Sequence, residues 1–189
     1  MELNGVKATG PIRVGPAIVD YGTGIHAAFA ISSALYRRQI TGEGLEIDLS
    51  MLDAAIMLMT STVSDSLSSG ISSPSYGNNH PDHPGYGAFN ASDRMIVIGA
   101  FTKKQLCNLL LGLNLKKEEK LVSSLTKKEM KASYSELRNS IENVIKTKKA
   151  DFWEKKLNDC HVPAAKVRNL IEALKINCRK AVKEKTGKR

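Results

Sequence analysis

The chain has 189 residues, 42% hydrophobic and 25% charged, ordinary for a globular protein and long enough to bury roughly 70% of its unfolded surface. This excludes a disordered polymer, a collagen-like repeat and a disulfide-stapled miniprotein, and the absence of a run of about 18 apolar residues excludes a transmembrane helix. The formal charge of +9 is unevenly placed: five basic and nine acidic side chains in residues 1–102 leave −4, while the remaining 23 basic and 10 acidic ones in 103–189 leave +13.

Residues 1–20 hold Gly5, Gly10, Pro11, Gly15 and Pro16, too many breakers for a helix, and predict an extended, turn-rich lead-in that ends in an apolar stretch before Asp20. The first fifteen residues have no apolar core of a secretory signal, so none is expected. After Tyr21-Gly22-Thr23-Gly24, Ile25, Ala28, Phe29, Ser32 and Leu35 recur at helical spacing and predict one apolar stripe. Thr23 is the expected N-terminal cap, and Arg37 and Arg38 suit the negative end of the dipole. Thr41-Gly42-Glu43-Gly44 stops this helix. LEIDLS (45–50) alternates apolar and polar residues and predicts a half-buried strand, followed by a second apolar helix over 51–64 capped by Ser50.

The Ser-, Gly- and Pro-rich stretch that follows predicts a long linker or active-site loop. MIVIGA (95–100) predicts a short buried strand. KKQLCNLLLGLNL predicts a helix with Leu106, Leu109, Leu110 and Leu113 on one side, ended by Gly112 and Asn114. A Lys-rich connector, a helix over 134–149 and another from near Asp151 follow, with Phe152 and Trp153 as core anchors. The chain around Pro163 is expected to be extended, and residues 169–185 to form a basic amphipathic helix. Helices alternating with a few strands give an α/β or α+β class. The expected domains are 1–65, 66–88 as linker or loop, 89–165, and 166–189 as a basic return helix and tail.

An acid before two glycines and a helix start is a good setting for a working carboxylate. Gly22 and Gly24 leave room for substrate beside Asp20, and a helix start presents unpaired N–H groups able to hold developing negative charge; a capping or structural aspartate is the plainer alternative. His80, Asp82 and His83 have no third cluster to complete a metal site, so a turn is expected and no metal. His26 is expected to be packed, and the adjacent Cys160 and His161 point apart, which argues against a nucleophile–base pair. Cys107, Cys160 and Cys178, unpaired by any CxxC spacing, predict free thiols in a reducing, cytoplasmic setting. The basic rear half invites a nucleic-acid or acidic partner. Without interleaved aromatic residues, solvated Lys-rich helix faces are expected instead, and no nucleic acid.

The residues from 10 to 55 carry a resemblance, which extends over roughly the first 60. Asp20-Tyr21-Gly22-Thr23-Gly24, then Ala34-Leu35-Tyr36-Arg37-Arg38, Thr41-Gly42-Glu43-Gly44 and Ile47-Asp48-Leu49-Ser50-Met51-Leu52-Asp53-Ala54 resemble the family III CoA-transferases, the group of formyl-CoA transferase, carnitine-CoA transferase and α-methylacyl-CoA racemase. A second stretch, from Gly77 to Leu115, is similar to the start of that family's small domain, and residues 153–167 weakly to the segment returning to the large one.

The resemblance implies an α/β fragment of a nucleotide-binding-like large domain followed by a small α+β domain. It implies Asp20 as a nucleophile that attacks an acyl-CoA thioester and then carries CoA as an aspartyl thioester. An aspartate side chain, of pKa about 3.9 in water, is ionised at neutral pH without a base to activate it. Gly22 and Gly24 are implied near the oxyanion, and Gly77, Gly85 and Gly87 in place of the loop of consecutive glycines that closes the site in some relatives. No cofactor is expected to be bound, coenzyme A entering as a thioester substrate. The expected partners are an acyl-CoA, a small carboxylic acid, and a second copy or a chain supplying a missing half; no membrane is expected. The chain is expected to lack the family's N-terminal half and C-terminal return segment, to be incomplete alone, and to expose apolar surface over 51–63. The racemase branch places a glutamate where this chain has Thr102, which argues against racemisation. A non-catalytic remnant or partner subunit is the alternative.

Overall fold

A computed structural model describes residues 2–6 and 8–176, divided into two compact units between Gly77 and Asn78. The first unit is helical: α1 (Ile18–Thr41), α2 (Met51–Leu58) and α3 (Thr60–Ser69). α1 starts seven residues earlier than its apolar stripe suggests, so the Asp20–Gly24 motif lies inside the helix. Thr23 does not cap it; its hydroxyl donates to the Val19 carbonyl at 2.7 Å. Gly42, at φ 76°, ends α1 by adopting the left-handed conformation and donating its N–H to Arg38. Ser50 caps α2 as expected, its hydroxyl accepting from the N–H groups of Leu52 and Asp53. The helix expected over 51–64 is broken at Met59, whose backbone (φ −106°, ψ 21°) leaves the helical region before α3 begins.

Residues 43–50 do not form the expected strand. A strand needs a neighbour for its N–H and C=O groups, and the described residues of this unit include none, so the alternating pattern is left as extended chain with Leu45 and Ile47 exposed.

The second unit has a core of its own. Strands β1 (Tyr86–Asn90), β2 (Met95–Gly99) and β3 (Ala164–Lys166) form an antiparallel sheet in that order, Tyr86 opposite Gly99 and Asn90 opposite Met95, then Val97 opposite Ala165. Helices α4 (Lys103–Gly112), α5 (Lys116–Ser124), α6 (Lys127–Ala132), α7 (Tyr134–Ile145), α8 (Ala150–Asp159) and α9 (Leu170–Leu174) complete it. The predicted strand at 95–100 and the helices after Thr102, near 134 and near 151 are present. The Lys-rich connector is helical instead, as α5 and α6: Val122 at helical phase reaches the core, and Thr126 forms a capping box with Glu129. β1 went unrecognised inside the glycine-rich stretch because Tyr86-Gly87-Ala88-Phe89-Asn90 offers one large apolar residue. Beyond α9, the expected basic helix and Cys178 lie largely outside the described residues.

One face of the sheet supplies Phe89, Ile96 and Ile98 to the core, where Leu109, Leu110, Ile141, Ile145, Trp153 and Leu157 meet them; each such side chain contributes roughly 1.5–3 kcal/mol. Trp153 donates its indole N–H to the Ile145 carbonyl at 2.8 Å, whereas Phe152, expected in the core, is exposed. The hairpin is tied to α8 by Asp93, which accepts the first N–H of that helix at 2.8 Å. Arg138 is buried: its guanidinium lies 3.6 Å from the centre of the Phe89 ring, donates to the Ala88 carbonyl and pairs with Glu142. Helices with a small sheet place the chain in the α/β class. Among the described residues no helix is long and apolar enough to cross a membrane.

Candidate active site around Asp20

Asp20 is the third residue of α1, in its first turn. That position suits an acid, since a negative charge at a helix start gains about 0.3–1 kcal/mol from the helix dipole. Among the described residues its carboxylate makes no hydrogen bond or ion pair. The Tyr21 N–H already donates to the Ala17 carbonyl, while those of Val19 and Asp20 have no acceptor among the described residues, as the open end of a helix requires.

Around this end lies a cavity of about 640 Å³, within the size range of small-molecule sites. Its walls come from the lead-in segment, the first turn of α1, and Ala55, Leu58 and Met59. Among the described residues two charged side chains line it, Asp20 and Arg13. Arg13 donates from Nε to the Val14 carbonyl at 3.3 Å and from Nη2 to the Gly15 carbonyl at 3.1 Å. These local bonds hold it in the lead-in segment without spending its charge on a carboxylate. Arg13 was not anticipated, because a lone basic residue among turn formers has no periodic signature; only the folded lead-in brings it to the same cavity as Asp20.

The glycines have different environments. Gly22 is buried, and a Cβ there would stand 2.7 Å from Leu58 Cδ1, so its bareness lets α1 and α2 pack closely. Gly24 has nothing within 4 Å of such a position. Both are helix-interior residues whose N–H groups belong to the helical ladder; the unpaired donors beside Asp20 are those of Val19 and Asp20 instead. His26 accepts or donates at Nδ1 with the Gly22 carbonyl, 2.8 Å away, as a packed histidine does.

The other three glycines are tied to local packing. A Cβ on Gly77 would meet Val6 at 2.5 Å, and one on Gly85 would meet Ala100, Leu106 and Leu109 at about 3 Å. Gly87, at φ 140°, has the Asn78 carbonyl oxygen 2.6 Å from that position, a place only glycine fills. His80 and His83 form an edge-to-face pair with ring centres 4.6 Å apart. Among the described residues no three metal-binding side chains converge. Thr102 forms a capping box with Gln105, its hydroxyl within 3.1 Å of the Gln105 amide oxygen.

The sequence profile of CoA-transferase family III matches residues 1–184. The chain belongs to that family. It is 37% identical over 101 residues to succinyl-CoA:mesaconate CoA-transferase of Haloarcula hispanica, a match covering 53% of this chain and 26% of that one. Against succinyl-CoA:glutarate CoA-transferase of Mus musculus it is 32% identical over 115 residues, covering 61% and 26%. A match to acetyl-CoA:oxalate CoA-transferase of Acetobacter aceti runs over 167 residues at 26% identity, covering 86% and 42%. Among solved structures, a CaiB/BaiF family protein from Brucella suis superposes with a TM-score of 0.71 at 26% identity, over 92% of this chain and 46% of that one. This family III chain therefore spans less than half the length of these relatives.

Proposed function

We propose that this chain carries the nucleophile of a family III CoA-transferase and moves CoA from an acyl-CoA to a small carboxylic acid. The observation that supports the reading most directly is the Asp20 carboxylate: at the open end of α1, unpaired among the described residues, and lining a cavity to which Arg13 brings a cation.

The Asp20 carboxylate attacks the thioester carbonyl; the C–S bond breaks, leaving a mixed anhydride and CoA thiolate. The thiolate then attacks the aspartyl carbonyl of the anhydride, expelling the donor acid as its carboxylate and leaving an aspartyl-CoA thioester. The acceptor carboxylate repeats the two exchanges in reverse order, and Asp20 is regenerated. Each pair of exchanges converts one thioester and one carboxylate into another thioester and another carboxylate, so the net half-reaction needs no large driving force. Arg13 offsets the charge of two carboxylates brought together. The free N–H groups of Val19 and Asp20, rather than the ladder-bound ones of Gly22 and Gly24, serve the oxyanion of each tetrahedral intermediate. No resident cofactor takes part.

The chain works as part of a larger assembly, paired with a second copy or with a polypeptide carrying the remainder of the fold, in the cytoplasm and without a membrane or nucleic-acid partner. The test is mass spectrometry of the chain, alone and with the complementary half of a relative, after incubation with acyl-CoA. An adduct of CoA on Asp20, absent from Asp20→Ala, is expected; no adduct under either condition overturns the reading. The exposed apolar faces of α1 and α2 favour a second reading, a non-catalytic partner subunit. In that case Asp20→Ala leaves the cellular role unchanged while apolar-to-polar changes on α1 abolish it.

A further inference from the structure

The second unit holds a cavity of about 870 Å³ that the CoA-transfer reading does not use. Its floor is apolar: Ala100 and Leu106, nearly fully buried, with Leu125 and Met130. One wall is the Phe101 ring, 53% exposed. That ring is held from two directions. Its backbone N–H donates to the Gln105 amide oxygen at 3.2 Å, and its face meets His83 at 4.3 Å between ring centres, with His80 and Tyr86 at 5.8 and 6.0 Å. A large apolar side chain held this firmly yet left open to a concave space gives up hydrophobic stabilisation that burial would supply, and an aromatic face so placed suits stacking with a flat ring.

The charges at the same cavity are lopsided. Lys103, Lys128 and Lys131 line it against one carboxylate, Asp82. Lys131 pairs with Asp82 at 2.7 Å. Lys103 donates to the Ser123 and Leu125 carbonyls, each at 2.9 Å; this fixes its ammonium in place, leaves its charge unneutralised and keeps its third proton for another acceptor. Lys128 has no ion pair or hydrogen bond among the described residues. Apolar depth, an anchored aromatic wall and surplus positive charge select together for one kind of ligand.

We propose that this cavity binds a small organic anion with a flat ring, the ring stacking against Phe101 and the anionic group lying among Lys103, Lys128 and Lys131. An adenine nucleotide and an aromatic carboxylic acid share that chemistry. The site is built from residues of the second unit alone and is tested by binding, not turnover. The full chain is titrated by calorimetry with adenosine 5′-monophosphate, cinnamate, adenosine and inorganic phosphate in turn. One ring-bearing anion binds at least about tenfold more tightly than adenosine or phosphate, since stacking and charge each supply a fraction of the affinity. Which one it is names the source. Lys128→Ala and Phe101→Ala each weaken that binding by about tenfold, added salt weakens it further, and Lys128→Arg retains it. Lys128 is exposed, so its loss leaves the fold intact, and circular dichroism checks Phe101→Ala. Equal binding of all four probes, no binding by any of them, or affinity unchanged in Lys128→Ala overturns the proposal.

Discussion

Asp20 and Arg13 show how differently two functional candidates are written into a chain. An acid followed at once by two glycines and a long apolar stripe is conspicuous in one dimension, and the neighbouring words carry a family resemblance. Arg13 has no such context; its relation to Asp20 exists only once the lead-in segment turns and lines the same cavity. Replacing Arg13 with alanine is expected to lower the rate of CoA adduct formation on Asp20 by about ten- to a hundredfold, the scale of losing one preorganised electrostatic partner. Arg13→Lys should recover part of it, and rapid-quench mass spectrometry reads both.

Elsewhere, single residues govern the response to acid. The Glu172 carboxyl is held below its ordinary range by the Arg94 guanidinium and then by the Asn169 N–H, and Asp151 is likewise lowered, first by its hydrogen bond from Lys166. A carboxyl depressed in the folded state stabilises it above the unfolded pKa, and that gain disappears as pH falls through the folded value. The denaturation midpoint of the second unit should therefore drop as pH falls below about 4.3, the ordinary glutamate value. Glu172→Gln should flatten that decline in urea titrations from neutral to acid.

At the scale of elements, periodicity was informative wherever a core answered it and misleading where none did. Leu106, Leu109 and Leu110 of α4 and the alternation of β2 both point into one packed interior, so their patterns translate directly into structure. Residues 45–50 carry an equally clean alternation but have no strand to pair with, and the pattern stays unexpressed. The start of α1 was misplaced for a related reason: Gly22 and Gly24 weaken helix propensity, yet Gly22 is where α1 and α2 approach, and packing overrides propensity. Gly22→Val is expected to cost about 1–3 kcal/mol through overpacking, read as a lowered thermal midpoint and relieved in combination with Leu58→Ala. Gly24→Ala separates structure from function. With open space around it, it should stabilise α1 by about 0.5–1 kcal/mol; if that space admits substrate, the same change slows adduct formation on Asp20.

For the whole molecule, the two units differ in what they bury. The second keeps Ile96, Ile98, Leu109, Leu110, Ile141 and Leu157 within 0% exposure, whereas the first fully buries Gly22 and Ala54 alone among its helical residues. Expected exposed apolar surface over 51–63 is present, with Leu52 at 69% and Met57 at 60%. The uneven charge was visible in the sequence; the uneven burial was not, since apolar content says which side chains seek a core but not whether the chain contains one for them. Limited proteolysis is expected to cut first between residues 60 and 80 and leave a fragment from Asn78 onward that unfolds cooperatively. The intact chain should bind a hydrophobic dye strongly, and lose that binding when the complementary half of the fold is supplied.

The stripe on α1 has a consequence for the life of the chain in a cell. Tyr21, Ile25, Phe29, Leu35, Tyr36 and Ile40 are all more than half exposed, a contiguous apolar side on a 24-residue helix. Such a surface is what chaperones and quality-control proteases recognise, so an unaccompanied copy is expected to be shorter-lived than a covered one. The abundance of the chain is then expected to follow the supply of any polypeptide that covers α1. A pulse-chase experiment should find its half-life lengthening as the covering polypeptide is co-expressed, and lengthening without it when Ile25 and Phe29 are made polar.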